Sequence, residues 1–167
     1  YLPLTKKDEE VSFASLLTKW ETPGYSTMTC PTCLVECDAW HHQRAQPCKY
    51  VVFAINRVDW TRGHCEKQST SVNLAHEFER WGYRFYHRSL TVHEGMTPTN
   101  GHYVFYEFLA QECRWLRYDD AKVTVHKSLP WTGAQDVRRN SRFFYYAVTA
   151  VAPVTSAAGS ATKLHLT

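Results

Sequence analysis

Hydrophobic residues recur along this chain with a helical period before about residue 48 and with a strand period after it. Four apolar residues recur at helical spacing near the start: Phe13, Leu16, Leu17 and Trp20. The acidic residues 8–10 precede them, where a helix N-terminus favours negative charge. The pattern predicts an amphipathic helix over residues 8–20, stopped by Pro23-Gly24 and followed by a loop or small ribbon at 29–47.

Strand patterns dominate the rest of the chain. Residues 50–55 are apolar and β-branched and lie between Pro47 and Asn56, which predicts a buried strand. Turn-like clusters such as residues 98–101 separate further segments of this kind: 85–93, 102–109, 114–118, 122–126 and 142–151. We therefore expect a β-rich α+β fold, a mainly antiparallel sheet with one N-terminal helix. The domain should cover residues 1–152, and residues 153–167 should form a tail over a surface or a partner.

Composition narrows the function classes. The 167 residues suffice for one domain, and 19 basic residues are interspersed with 16 acidic ones, for a net charge of +3. That balance does not demand nucleic acid or a membrane as partner. The basic group 138–142 is typical of a solvated loop, although within an assembly it could bind RNA or an acidic surface. No apolar run is long enough to span a bilayer. Six cysteines without a hydrophobic leader predict an intracellular, thiol-rich protein.

Cys30-x-x-Cys33 is the first group that could carry chemistry. Two thiolates on a tight turn offer two adjacent positions of a tetrahedral zinc site, which is half of what zinc requires. Either Cys37, one of the adjacent histidines His41 and His42, or Cys48 completes the site, or the thiols are buried apolar groups. The histidine pair by itself is typical of a solvated loop.

His102 and Asp119 are the second group. A carboxylate that accepts from one ring nitrogen of a histidine fixes the tautomer and leaves the other nitrogen free to take a proton. Seventeen positions separate the two residues, which is enough for a strand, a turn and the next strand, so antiparallel pairing should bring them side by side. Taken alone, such a pair is more often structural than catalytic.

The residues around this pair follow a known motif. Residues 86–95 read YHRSLTVHEG, residues 100–106 read NGHYVFY, and further motif positions follow: Trp115, Tyr118, Asp119-Asp120 and Val123-Thr124. This resembles the ubiquitin-specific proteases, papain-like cysteine proteases that remove ubiquitin. The likeness extends over about residues 8–150, including the helix, the Cys-x-x-Cys pair and the aromatic strand at 143–148. It implies that His102 is the general base, with Asp119 as its orienter beside Asp120, in the palm-like half of such a protease with a reduced fingers region.

The chain also departs from that family. The nucleophile box of the family, an Asn-x-Cys sequence opening a helix, does not occur in these 167 residues, and neither does its second Cys-x-x-Cys pair. Asn56-Arg57-Val58 replaces the more usual Lys-Arg-aromatic strand end, and residues 127–142 have no counterpart. A histidine base without a thiol has nothing to activate, so this chain alone should be inactive.

Two functions follow from the resemblance. In the first, the chain is the His/Asp half of a deubiquitinating thiol protease, and a missing lobe or partner chain supplies the cysteine. In the second, it is an inactive relative that serves as a structural or ubiquitin-binding subunit of a large complex. Both imply ubiquitin or a ubiquitin-like protein as a partner, and structural zinc as the one cofactor to expect.

Overall fold

A computed structural model describes residues 1–4, 10–41, 47–61, 64–132 and 134–151, with the side chains of residues 3, 39–41, 61 and 64 left aside. Two helices lie in these ranges, α1 (Phe13–Glu21) and α2 (Gln135–Asn140). The strands in chain order are β1 (Leu2–Pro3), β2 (Glu10–Ser12), β3 (Gly24–Thr29), β4 (Glu36–His41), β5 (Tyr50–Asn56), β6 (Val58–Thr61), β7 (His64–Lys67), β8 (Ser71–Asn73), β9 (Glu77–Arg80), β10 (Tyr83–Glu94), β11 (His102–Leu109), β12 (Arg114–Asp119), β13 (Lys122–His126) and β14 (Ser141–Ala150).

One eight-stranded sheet organises the molecule. Its order is β1-β5-β14-β10-β11-β12-β13, and β9 pairs with β10 beside this path. All pairs are antiparallel except the short contact of β1 with β5. The predicted β-rich α+β fold with a mainly antiparallel sheet is thereby confirmed, and so are the strands predicted at residues 102–109 and 122–126.

One face of the sheet carries the hydrophobic core, because alternate residues of each strand point to the same side. β11 places Val104 and Tyr106 on this face, and β14 places Phe144 and Tyr146 there, all buried. Helix α1 packs on the β14 residues: the ring of Phe13 lies 5.8 Å from that of Phe144 and 5.7 Å from that of Tyr146. The aromatic strands are thus core on one face and exposed on the other, where Tyr103 is 49% accessible.

The helix starts later than its sequence pattern indicates. Residues 10–12 form β2, which pairs in parallel with β8, and Ser12 caps α1 by accepting from the Ser15 amide at 3.0 Å. The prediction that the helix starts at residue 8 is therefore wrong for residues 10–12, while residues 8 and 9 lie outside the described ranges. The predicted apolar stripe is confirmed for Phe13, Leu16 and Leu17, which are buried.

Other departures involve short or half-exposed elements. The strand predicted as buried at 50–55 is buried on one face alone, because Val52 is 52% exposed while Phe53 and Ile55 are buried. Strands β6 to β9 and helix α2 were not predicted. The basic group 138–142, expected as a solvated loop, forms the end of α2 and the start of β14.

The remaining expectations concern the ends and the ribbon. β3 and β4 form an antiparallel two-stranded ribbon, which starts at Gly24 and so before the stretch 29–47 for which a loop or ribbon is predicted. The tail at 153–167 lies outside the described residues, so the domain boundary at 152 stays a prediction. None of the described helices is long and apolar enough to cross a membrane.

Candidate functional site

His102 and Asp119 meet at one end of the main sheet. β11 begins at His102 and β12 ends at Asp119, and the antiparallel register that pairs Phe105 with Tyr118 places the two side chains diagonally on one face. His102 Nε2 lies 2.7 Å from Asp119 Oδ1. The two side chains remain 42% and 29% exposed, so a reacting group could reach the imidazole from solvent.

Arg117 extends this pair into a chain of four residues. Its guanidinium donates to Asp119 Oδ2 and, at 3.1 Å, to Glu94 Oε1 at the end of β10. The hydrogen bond from Arg117, and then that from His102, holds the pKa of the Asp119 carboxyl below its usual range. Asp119 is consequently a carboxylate with both oxygens engaged, and its orientation is set from two sides.

This arrangement leaves one histidine nitrogen free for proton transfer. With Nε2–H donated to Asp119, Nδ1 is the nitrogen that can accept a proton from a nucleophile. Asp120 follows in the turn between β12 and β13 at φ 49°, and its carboxylate lies within 4.8 Å of the ligand atoms of His102 and Asp119. Asp120 is exposed and adds negative charge next to the imidazole.

The loop that leads into His102 is tightly packed. A Cβ on Gly101 would lie 2.5 Å from His93 Nε2 and 2.7 Å from the Glu94 carbonyl oxygen. Lys67 Nζ donates to the carbonyl oxygens of His93 and Gly95, both at 2.6 Å, and to Asn140 Oδ1 at 2.8 Å. The loop therefore has little freedom to shift at its two ends, which places the start of β11.

Sequence reasoning missed Arg117, Glu94 and Lys67. A signal existed for Arg117, because it lies two residues before Asp119 and so shares its face of β12. Glu94 and Lys67 gave no such signal, since they are 23 and 26 positions from the residues they contact.

Cys30, Cys33 and Cys37 lie on the β3–β4 ribbon or in its turn, and Cys48 lies just before β5. Backbone amides of Cys33 and Thr32 donate to the Cys30 thiol and lower its pKa, which favours the thiolate that zinc requires. Cys37 Sγ donates to the Met28 carbonyl oxygen at 3.4 Å, and Cys48 Sγ donates to that of Tyr50 at 2.9 Å.

The donor set therefore fits half of a zinc site. Among the residues with described side chains, no third Cys, His, Asp or Glu ligand atom groups within 4.8 Å with those of Cys30 and Cys33. The side chains of His41 and His42 lie outside the described part of the chain. The zinc site, with Cys37 or Cys48 as further ligands, stays a prediction.

Comparison with solved structures supports the fold. The chain resembles a structure described as an essential yeast splicing factor, with a TM-score of 0.59 and 14% sequence identity. The match covers 89% of this chain but 35% of the other, so the chain spans about a third of that protein's length. At this identity the likeness concerns the fold alone.

Comparison of sequences supports the family. No curated protein matches the chain. The sequence model described as "Ubiquitin carboxyl-terminal hydrolase" matches residues 23–146, a range that includes the ribbon, most of the main sheet and the His102–Asp119 pair. This chain belongs to the ubiquitin carboxyl-terminal hydrolase family.

Proposed function

We propose that the chain supplies the general base and its orienter for a thiol-dependent hydrolase that cleaves (iso)peptide bonds at the ubiquitin C-terminus. The observation that carries this proposal is the 2.7 Å contact between His102 Nε2 and Asp119 Oδ1, with Nδ1 left as the proton acceptor. Family membership supports ubiquitin, or a ubiquitin-like protein, as the partner.

The nucleophile would come from outside these 167 residues. Cys113 illustrates why, because it lies at the far end of the β11–β12 hairpin. His102 and Leu109 are seven residue steps apart, which corresponds to roughly 23 Å along β11. A separate segment or partner chain would bring its thiol to the open side of the imidazole.

The proposed steps use the His102–Asp119 pair as follows. Nδ1 of His102 takes the proton from the thiol, and the thiolate attacks the carbonyl carbon at the ubiquitin C-terminus. The imidazolium that forms is stabilised by the Asp119 carboxylate, and it then protonates the leaving amine. The same base then takes a proton from a water molecule, which attacks the thioester. Ubiquitin is released with a free carboxylate, and the thiol is regenerated. Arg117 would keep Asp119 ionised and oriented throughout.

A second candidate function is a non-catalytic subunit of a larger assembly. It is supported by the description of the solved structure that shares this fold, a splicing factor. In that case the His102–Asp119–Arg117 chain would stabilise the sheet end, and the outer surfaces would bind partners.

The experiment that separates the two uses the natural polypeptide containing this chain, with any partner chains that copurify with it, and a ubiquitin probe with a thiol-reactive group at its C-terminus. We expect a covalent adduct under reducing conditions, because an activated thiolate attacks the probe. His102→Ala should abolish the adduct. The matched control is His126→Ala on β13, which removes a strand histidine outside the pair and should leave labelling intact.

The catalytic proposal would be overturned if the natural polypeptide, tested with the partner chains that copurify with it and shown by circular dichroism to be folded, forms no adduct. Retained non-covalent binding of ubiquitin in the same sample would then support the subunit function. Labelling that survives in the folded His102→Ala variant would equally count against His102 as the base.

A further inference from the structure

Among the described residues, the outer edge of β13 ends the main sheet and its outward backbone groups have no pairing strand. β13 is the last strand of the order and pairs with β12 alone among the strands of the described ranges. Its five residues contain no proline. Val123 is 54% exposed and Val125 is 50% exposed. A regular edge strand with alternating exposed valines is a template for pairing with another strand.

The register of the β12–β13 hairpin shows which backbone groups point outward. Asp119 pairs with Lys122 across a two-residue turn, so these two residues form a hydrogen-bonded pair. Pairs of this kind alternate along an antiparallel ladder, which directs the amides and carbonyls of Lys122, Thr124 and His126 to β12. Those of Val123 and Val125 therefore point away from the sheet.

The sequence of β13 is self-complementary about its centre. It reads Lys-Val-Thr-Val-His, with Thr124 in the middle. A two-fold axis at Thr124 would pair two copies antiparallel, as an isologous interface requires. Val123 would then lie opposite the second copy's Val125, and the outward amides and carbonyls of these residues would form four hydrogen bonds. Thr124 would lie opposite its own copy, a favourable cross-strand pair.

An apolar row on the outer face of the sheet runs to the same edge. Phe105 on β11 pairs with Tyr118 on β12, which pairs with Val123. The rings of Phe105 and Tyr118 lie 6.0 Å apart, and Phe105 is 36% exposed. Leu116 forms a second row with Val125. Pairing about Thr124 would place the Val123 row of one copy next to the Val125 row of the second copy. The two valines of each copy would then be removed from water.

We propose that the β13 edge is a self-association surface, at which a second copy of this chain adds its β13 antiparallel about Thr124 to make one continuous sheet. The occupant is a second copy because the strand matches itself in register, side-chain face and backbone hydrogen bonding. This proposal does not depend on the catalytic role proposed for His102 and Asp119.

The test is the mass of the 167-residue chain in solution, measured by sedimentation equilibrium over a range of concentrations. We expect a reversible dimer of twice the 19.4 kDa chain mass. Val125→Pro removes one outward amide but no hydrogen bond to β12, so it should weaken dimerisation at least about tenfold while the chain stays folded. Val52→Lys on β5 is the control, since Val52 is exposed to a similar degree, 52%, away from the edge.

A pair of charge variants tests the register and does not depend on proline being tolerated. Val123→Lys alone and Val125→Glu alone should each weaken the dimer, whereas the chain with both changes should regain it. In the proposed register, each introduced lysine faces an introduced glutamate of the second copy. A chain that stays at 19.4 kDa up to about 0.2 mM would overturn the proposal. So would a dimer indifferent to all three substitutions.

Discussion

Asp119 and His87 are two polar side chains of the main sheet whose charge states differ because their burial differs. Asp119 lies at the open end of the sheet and accepts hydrogen bonds from Arg117 and His102, so its charge is stabilised although its side chain is 29% exposed. His87 is fully buried on the core face, where its ring stacks on Tyr146 at 4.8 Å and lies 4.8 Å from the Trp131 ring. Burial lowers the pKa of His87 to about 3. His87 is therefore a neutral core residue, and its Nε2–H donates to the main-chain carbonyl oxygen of Ser89 at 3.0 Å.

The buried histidine predicts acid sensitivity. Its pKa lies below that of an unfolded histidine, about 6.5, so the unfolded chain takes up a proton that the folded chain does not. Above pH 6.5 His87 is neutral in both states and does not lower the free energy of unfolding. As the pH falls from 6.5 toward 3, the free energy of unfolding decreases by about 1.4 kcal/mol per pH unit. We expect urea unfolding between pH 7 and 4 to show this slope, and His87→Phe to remove most of it.

The control for that measurement is His76→Gln, because the His76 side chain is exposed. It should retain most of the slope. An equal slope in the parent chain and in a folded His87→Phe variant would contradict the explanation.

At the scale of elements, the loop between β10 and β11 controls where His102 lies. Gly95 and Gly101 approach each other so closely that a Cβ on Gly101 would lie 3.0 Å from the Gly95 Cα. Lys67 holds one end of the loop from β7, and α2 contributes Asn140 to the same ammonium group. Two elements that sequence reasoning did not predict thus support the residue that it identified most directly.

This packing predicts that Gly101→Ala displaces the start of β11. The added methyl group would meet the buried His93 ring and two backbone groups, none of which can move freely. We expect the hydrogen bond between His102 and Asp119 to weaken, measured as the loss or upfield shift of the His102 Nε2 proton resonance in NMR spectra. Thr99→Ala, an exposed change in the same loop that adds no atom, should leave the resonance in place. An unchanged resonance in a folded Gly101→Ala variant would show that the loop can yield.

At the scale of the whole molecule, one buried arginine joins segments far apart in sequence. Arg57 follows β5, is 2% exposed, and donates to four main-chain carbonyl oxygens, those of Gln68, Thr70, Arg138 and Ser141. Burial lowers its pKa to about 9, so it stays charged at neutral pH. The guanidinium has five donors in a fixed plane, which suits several carbonyls at once. Arg57 therefore links the end of β5, the segment before β8, α2 and β14.

Replacing this arginine should destabilise the fold more than any surface charge does. Arg57→Met keeps much of the apolar stem but leaves buried carbonyls without donors, at about 1 to 3 kcal/mol for each unsatisfied group. We expect a loss of about 3 kcal/mol or more in the free energy of unfolding, measured by chemical denaturation. Arg139→Met on α2 is the control, because Arg139 is exposed, and it should cost less than about 0.5 kcal/mol. Similar losses in the two variants would contradict the role of Arg57.

The sequence by itself determined the features that depend on neighbouring residues. Alternating apolar residues and turn clusters specify β11 and β13 to the residue, and apolar spacing specifies the buried face of α1. The hairpin length then brings His102 and Asp119 together, because antiparallel pairing leaves few registers that satisfy the alternation. Family membership follows from the same local motifs.

Tertiary structure alone decided the features that depend on distant segments. Residues 10–12 are a strand because β8 pairs with them, and Arg57 is buried because four carbonyls converge on it. Glu94 and Lys67 join the site through contacts that span 23 residues or more, and β13 is an edge because of the strand order. Local pattern sets which backbone conformation and face a residue prefers, whereas burial, pairing and charge partners are set by the chain segments that fold against it.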